Sequence, residues 1–392
     1  MSEWKKVKLG ELYEVHNGLS KGRQFFGKGY PFLTFSTVFN NWFLPQQLDS
    51  LVQSSDKERE ACSIRRGDVF ITRTSETMDE LGMSSVALRD YPDATYNGFT
   101  KRLRPLTSEV VPEYIGYYLR SPKFRGKFLA FSTMTTRASL ANGDLLGMEV
   151  ELPSKETQLR IATILSRYDS LIENYQKQIK LLEEAAQRLY KEWFVDLRFP
   201  GHENTKIVDG VPEGWEKKRL VEIADVIMGQ SPKSEFYNLE KDGLPFHQGV
   251  GSYGSRFVVD MVYSSSFTRI AEPNSILFSV RAPVGRLNIT KNKIVIGRGL
   301  AAMNHKNGLQ SFLFYLLKER FFKDNIIGNG AIFASISKDE LLNLEFLLPK
   351  DDLAQKFNEV AHKIDEEIKR LDSQIKYLTE ARDRLLLKLM SF

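Results

Sequence analysis

The chain has 392 residues, 42% of them hydrophobic and 27% charged, which is the make-up of an ordinary globular protein with room for two or three domains. No apolar run approaches the ~18 residues that a membrane span needs, and Met1-Ser2-Glu3-Trp4-Lys5-Lys6 has no apolar stretch behind it, so neither a span nor a secretory leader is expected. The net charge of +5 hints at an anionic partner, and Cys62, the single cysteine, rules out an internal disulfide and suits a reducing cytoplasm.

Read from the N-terminus, the sequence is written twice. With residue n placed over n + 211, Trp4 meets Trp215, Leu9 meets Leu220, Glu11 meets Glu222, Val15 meets Val226, Gly18 meets Gly229 and Ser20 meets Ser231. Gly29-Tyr30-Pro31-Phe32 matches Gly243-Leu244-Pro245-Phe246, and Asp68–Thr72 resembles Ser275–Ser279. By the end of each half the offset has become 196, and Pro153–Asp196 overlays Pro349–Phe392 without a gap, with eleven identities in 44 positions. The plan is domain, helix, domain, helix.

Residues 1–152 hold short β-like runs, among them Val69-Phe70-Ile71-Thr72 and Ser85-Val86-Ala87-Leu88, separated by loops of Gly, Ser, Asn and Pro; a short helix is expected at Pro112–Arg120. From 153 to 196 apolar residues alternate in steps of four and three: Ile161, Leu165, Tyr168, Ile172, Tyr175, Ile179, Leu182, Ala186, Leu189 and Trp193. That is a heptad seam, so one long helix is predicted. The turn-rich stretch 197–214 reads as a linker. Residues 215–348 repeat the α+β pattern, with runs at Ser275–Phe278 and Lys293–Ile296 and a helix at Leu309–Phe322. Residues 349–392 carry a second seam through Phe357, Ala361, Ile364, Ile368, Leu371, Ile375, Leu378, Leu385 and Leu389, which Arg382 breaks once. Each seam needs an apolar partner, and the economical one is the other helix. A helix that leads from domain to domain and a second that leads back should run antiparallel. The expected fold is therefore α+β: two domains in tandem repeat, separated by an antiparallel pair of long coiled-coil helices.

No catalytic constellation is legible. A phosphate-cradling Gly-x4-Gly-Lys-Ser/Thr loop is missing, and His16, His202, His247, His305 and His362 pair with no second ligand at metal spacing. No Asn/Asp-Pro-Pro-aromatic tetrapeptide of the methyl-transfer kind occurs. Asp209 with Glu216-Lys217-Lys218 imitates a nuclease cluster, but it lies in the linker and has no counterpart in the first half. Cys62 reads as a small half-buried residue. The charge pattern favours binding: residues 154–196 carry 7 basic and 7 acidic side chains and residues 350–392 carry 9 and 9, so the whole excess lies outside the two helical stretches.

Several motifs resemble the specificity subunits of Type I restriction-modification systems. They are Leu189-Tyr190-Lys191-Glu192-Trp193-Phe194-Val195-Asp196 with Arg198-Phe199-Pro200, Val211-Pro212-Glu213-Gly214-Trp215, and the helix start Pro153…Gln158…Ile161…Asp169. Gly229-Gln230-Ser231-Pro232, Val280-Arg281-Ala282-Pro283-Val284-Gly285 and Ile296-Gly297-Arg298-Gly299-Leu300-Ala301 look like one class of target-recognition domain; the first domain departs at Lys21 and at Arg73-Thr74, which suggests a different target sequence. The resemblance spans essentially the whole chain. It implies that residues 1–152 and 215–348 are target-recognition domains, each reading half of a bipartite asymmetric DNA target through the major groove, and that the helices set the spacer between the halves. It further implies a non-catalytic cytoplasmic subunit of prokaryotic defence, holding no cofactor of its own. The expected partners are double-stranded DNA, two methyltransferase subunits that use S-adenosylmethionine, and two restriction subunits that use ATP and Mg.

Phosphates favour Lys and Arg, and base edges favour Arg, Asn and Gln. On that ground the expected DNA-binding residues are Ser20, Lys21, Arg23, Gln24, Ser36, Thr37, Arg73, Thr74, Lys101, Arg102, Thr135, Thr136 and Arg137 in the first domain. In the second they are Ser231, Lys233, His247, Gln248, Ser252, Tyr253, Arg256, Arg281, Arg286, Arg298 and Asn329, with a buried structural role for Arg298 left open. Gly18, Gly229, Gly297 and Gly299 are expected to serve backbone turns. Two other functions stay open: recognition for a different modification or defence complex, and a coiled-coil scaffold that binds only protein.

Overall fold

A computed structural model describes residues 4–75, 81–131, 138–139, 141–322 and 335–390. The chain forms two compact units, Met1–Tyr175 with Gln374–Phe392, and Gln176–Ser373. Each mixes helix and sheet.

The first unit is built on a four-stranded antiparallel sheet in the order Tyr13–Asn17, Thr100–Pro105, Val69–Thr72, Ser84–Val86. Val69–Thr72 is buried on both faces, as suits a central apolar run. Phe26–Leu33 pairs with Leu51–Val52 and, in parallel, with Thr95–Tyr96 in a second, smaller sheet. Helix Pro112–Arg120 starts on a proline, whose missing N–H costs nothing at a first turn, and buries Tyr114, Tyr117 and Tyr118. Lys5–Lys8 pairs with Glu149–Leu152 and so ties the beginning of the domain to its end.

The second unit repeats this plan. Its main sheet runs Ala224–Met228, Leu300–His305, Ile276–Ser279, Leu287–Ile289, again antiparallel throughout. Leu244–His247 pairs in parallel with Ile294–Ile296 within a five-stranded sheet. Glu216–Arg219 pairs with Glu345–Leu348, the counterpart of the Lys5–Leu152 closure. Helix Gln310–Phe322 packs into the core against this sheet, as Pro112–Arg120 does against the sheet of the first unit.

Two long helices leave these closures, Lys155–Phe194 and Asp351–Leu389. The hydroxyl of Ser154 accepts the N–H of Thr157 at 3.3 Å and caps the first. In the first unit Ile161, Ala162 and Leu165 join a core with Leu386 and Met390. In the second, Ala186 and Tyr190 join one with Phe357 and Ala361. Burying a large apolar side chain is worth roughly 1.5–3 kcal/mol, so these stripes hold the helices far more strongly than helix propensity does.

Two of the motifs that carry the resemblance, Leu189–Asp196 with Arg198-Phe199-Pro200 and Val211–Trp215, meet in one aromatic cluster of the second unit. The Phe194 ring lies 5.3 Å from those of Phe312 and Phe357 and 6.1 Å from Trp215, and Phe199 lies 5.7 Å from Trp215. Their sequence signal is thus packing. Cys62 is buried, and burial pushes its thiol up, away from reactivity.

Candidate nucleic-acid interface

In the second unit three segments are knitted into one surface. Gly229 donates its N–H to Leu300 O and Gln230 to Ile296 O, both at 2.9 Å. A Cβ on Gly229 would sit 2.2 Å from Gly297 O, so the close approach requires glycine there. Ser231 Oγ donates to Gln248 Oε1 at 2.8 Å and accepts the Arg298 N–H at 3.3 Å. Gln248, Arg281 and Arg298 line one cavity, all three exposed. Arg298 is therefore a surface residue rather than a buried structural arginine. Its guanidinium and that of Arg281 are forks suited to phosphate or to a guanine edge, and Gln248 is suited to adenine. Lys233 is exposed, with Glu235 at 3.7 Å. Arg286 is half-buried, its backbone bonded to Ser279.

Four other expected contacts in this unit are corrected or narrowed. His247 is buried, with Nδ1 2.8 Å from Ser252 Oγ and Nε2 3.0 Å from Asp260, so both it and Ser252 are engaged internally. Arg256 is 3% exposed; it pairs with Asp365 and with Glu183 at 3.5 Å and stacks 3.9 Å over Phe314. An arginine in an apolar site must be neutralised from within, so its place is structural. Tyr253 turns its hydroxyl inward, and burial pushes that phenol up. Asn329 lies outside the described residues.

The first unit presents the same surface with other residues. Leu19 donates to Tyr96 O at 2.8 Å and Gly98 to Leu19 O at 2.9 Å, which sets Ser20 beside Gly98. Ser20, Arg23 and Gln24 are exposed. Lys21 is held 2.8 Å from Glu58 Oε2 and 5.0 Å from the Phe25 ring, and this ammonium, with the Ser55 N–H, pulls the Glu58 carboxyl down to about 2. Arg73 is half-buried and bonds through its N–H to Phe99 O at 3.0 Å. Thr74 lies in a two-residue strand paired with Ala138–Ser139. Ser36 and Thr37 open helix Phe35–Asn40, where Thr34 Oγ1 accepts the Thr37 N–H and Ser36 Oγ accepts from Asn40, so their polar atoms are used locally.

Lys101 and Arg102 are corrections. Strand Thr100–Pro105 buries its first four positions. Lys101 is bonded to Asn142 and burial, aided by Arg73, pushes its ammonium down. Arg102 donates to Ser63 O at 2.8 Å. Adjacent residues point to opposite faces of a strand, and here both faces are covered, so both side chains are drawn inside by neighbours that composition does not reveal. Thr135, Thr136 and Arg137 lie outside the described residues. Phe99 was not anticipated, yet it is 62% exposed beside Arg73 and Ser20.

Among the described residues no group of three or more His, Cys, Asp or Glu is arranged to hold a metal ion, and no helix is long and apolar enough to cross a membrane. Fold and surface together define a duplicated α+β binding protein with two unlike versions of one polar, basic face.

The family model described as the Type I restriction modification DNA specificity domain matches residues 1–184 and 212–380, and the chain belongs to this family. It is a DNA-recognition subunit of the type I restriction-modification kind. It is 31% identical over 360 residues to the provisionally named type I restriction enzyme MjaX specificity subunit of Methanocaldococcus jannaschii, covering 88% of this chain and 83% of that protein. It is 28% identical to the MjaIX specificity subunit of the same organism, covering 99% and 93%. A crystal structure of a type I restriction-modification S subunit from M. genitalium superposes with a TM-score of 0.59 at 16% identity over 99% of this chain and 96% of that one, a likeness of fold.

Proposed function

We propose that residues 1–152 and 215–348 are target-recognition domains that read the two halves of a bipartite, asymmetric DNA target. In this reading residues 197–214 are a linker. Residues 153–196 and 349–392 form an antiparallel coiled-coil pair that fixes the spacer and serves as the docking frame. Two methyltransferase subunits using S-adenosylmethionine and two restriction subunits using ATP and Mg carry all the chemistry in the cytoplasm, and this chain is non-catalytic. The observation that carries the reading is the repeated surface: Ser20 and Ser231 occupy matching turns, and the residues around them differ in charge and shape. The packing of Leu165 with Leu386 in one unit and of Tyr190 with Phe357 in the other supports an antiparallel pair. The test is to express the chain with its methyltransferase and sequence the methylated bases. A split, asymmetric motif is expected; a continuous motif, or none, contradicts the reading.

A further inference from the structure

The turn that leads into the second strand of each main sheet can be aligned atom by atom. Asn97 donates its N–H to Leu33 O at 3.0 Å, as Gly297 does to His247 O at 2.8 Å. The Asn97 carbonyl accepts from Thr100 and the Gly297 carbonyl from Leu300, both at 3.0 Å. Phe99 O accepts from Arg73 and Gly299 O from Val280, both at 3.0 Å. Gly98 therefore matches Arg298, and Phe99 matches Gly299.

Close approach crowds one glycine in each pair, Gly299 against backbone and Gly98 against the rotatable Ser20 hydroxyl. A Cβ on Gly98 would fall 2.4 Å from Ser20 Oγ, and a Cβ on Gly299 would fall 2.5 Å from Gln248 O. The other position carries a side chain into solvent. In the first unit it is Phe99, the most exposed phenylalanine among the described residues, with its N–H fixed by Asn97 Oδ1 at 2.6 Å. In the second it is Arg298. Each surface thus carries an outward side chain from this turn, one position apart in the two units: a hydrocarbon ring in the first and a guanidinium in the second.

These two chemistries select different base edges. A phenyl ring offers no hydrogen bond, and the one apolar group on a base edge in the major groove is the C5-methyl of thymine. A guanidinium fits the N7 and O6 acceptors of guanine. Given the DNA reading proposed above, we infer that Phe99 reads a thymine methyl in the first half-site, and that Arg298, from the adjacent position of the matching turn, reads a guanine in the second.

The test uses the complex of this chain with its methyltransferase subunits and a duplex that carries the methylated motif. Each first-half thymine is replaced in turn by uracil, which removes only the methyl. Each second-half guanine is replaced by 7-deazaguanine, which removes N7. One uracil position should weaken wild-type binding about fivefold or more, and should change binding by Phe99→Ala little, with Phe99→Leu intermediate. One 7-deazaguanine position should behave likewise towards Arg298→Ala. A first half-site without thymine, or a uracil effect undiminished in Phe99→Ala, overturns the role of Phe99; the matching result for 7-deazaguanine overturns that of Arg298. A wild-type complex that does not distinguish its motif from scrambled duplex overturns the proposed function instead.

Discussion

Arg382 Nη1 donates to Asp169 Oδ1 at 2.7 Å, and the Tyr117 hydroxyl donates to the other oxygen of the same carboxylate at 2.5 Å. Burial, then Asp169, push the Tyr117 phenol up, so it stays a donor. Asp365, 196 positions later, receives Tyr315 at 3.0 Å, but its guanidinium comes from Arg256, which lies outside both long helices. One carboxylate–tyrosine pair is kept in both units, and its cation has two different origins. Arg382 is thus a paired charge and not a defect in the apolar stripe.

Truncation should expose that difference. Arg382→Ala leaves Asp169, a partly solvated carboxylate, without its cation and should cost about 1–3 kcal/mol. Arg256→Ala strands more deeply buried charge and should cost roughly 3–5 kcal/mol. Urea unfolding of the two variants measures both, and an unchanged midpoint for Arg382→Ala would show that the pair adds nothing.

The same geometry bears on a chain cut in half. Residues 1–210, expressed with the methyltransferase, should form a homodimer whose target is a palindrome of the first half-site. In that dimer Ala186, the counterpart of Arg382 at an offset of 196, would face Asp169 of the other copy. Ala186→Arg should therefore tighten the dimer by about tenfold, or ~1.4 kcal/mol. Sedimentation would decide it; a monomer in both forms counts against interchangeable helices.

Lys21 and Glu58 make a competing pair on the surface proposed to read DNA. If Lys21 contacts phosphate, Lys21→Ala should reduce the salt slope of binding by about one. Glu58→Gln removes a repelling carboxylate and should raise affinity at low salt. The Glu58 pKa is lowered, from 4.5 to about 2, so its contribution to stability is full above pH 4.5 and fades as pH falls through about 2. Wild-type stability between those values should accordingly fall slightly more than that of Glu58→Gln; parallel acid titrations would contradict the pairing.

The helix Lys155–Phe194, 40 residues long, measures about 60 Å at ~1.5 Å per residue. Four residues inserted near Ala185 should lengthen the spacer of the methylated motif or abolish recognition. An active insertion variant with an unchanged spacer would sink the role of the helix as a ruler.

Much of this fold is legible in the residues. The heptad seams, Pro112–Arg120 and the drift of the repeat offset from 211 to 196 all follow from period and identity, because apolar spacing is dictated locally. The surface is less legible. Lys101, Arg102, His247 and Arg256 look like DNA contacts by composition, but each is buried against partners distant in sequence, Asn142, Ser63, Asp260 and Asp365. Phe99 is hidden for the opposite reason: an aromatic between Gly98 and Thr100 reads as core, and only the turn geometry turns it outward.

The central claim is that the two units read DNA independently. The most direct measurement replaces residues 1–152 with the first recognition domain of another specificity subunit, co-expresses the hybrid with the methyltransferase, and sequences the methylated bases. The account predicts that one half of the motif changes while the other half and the spacer stay as they were. A motif altered in both halves would contradict it.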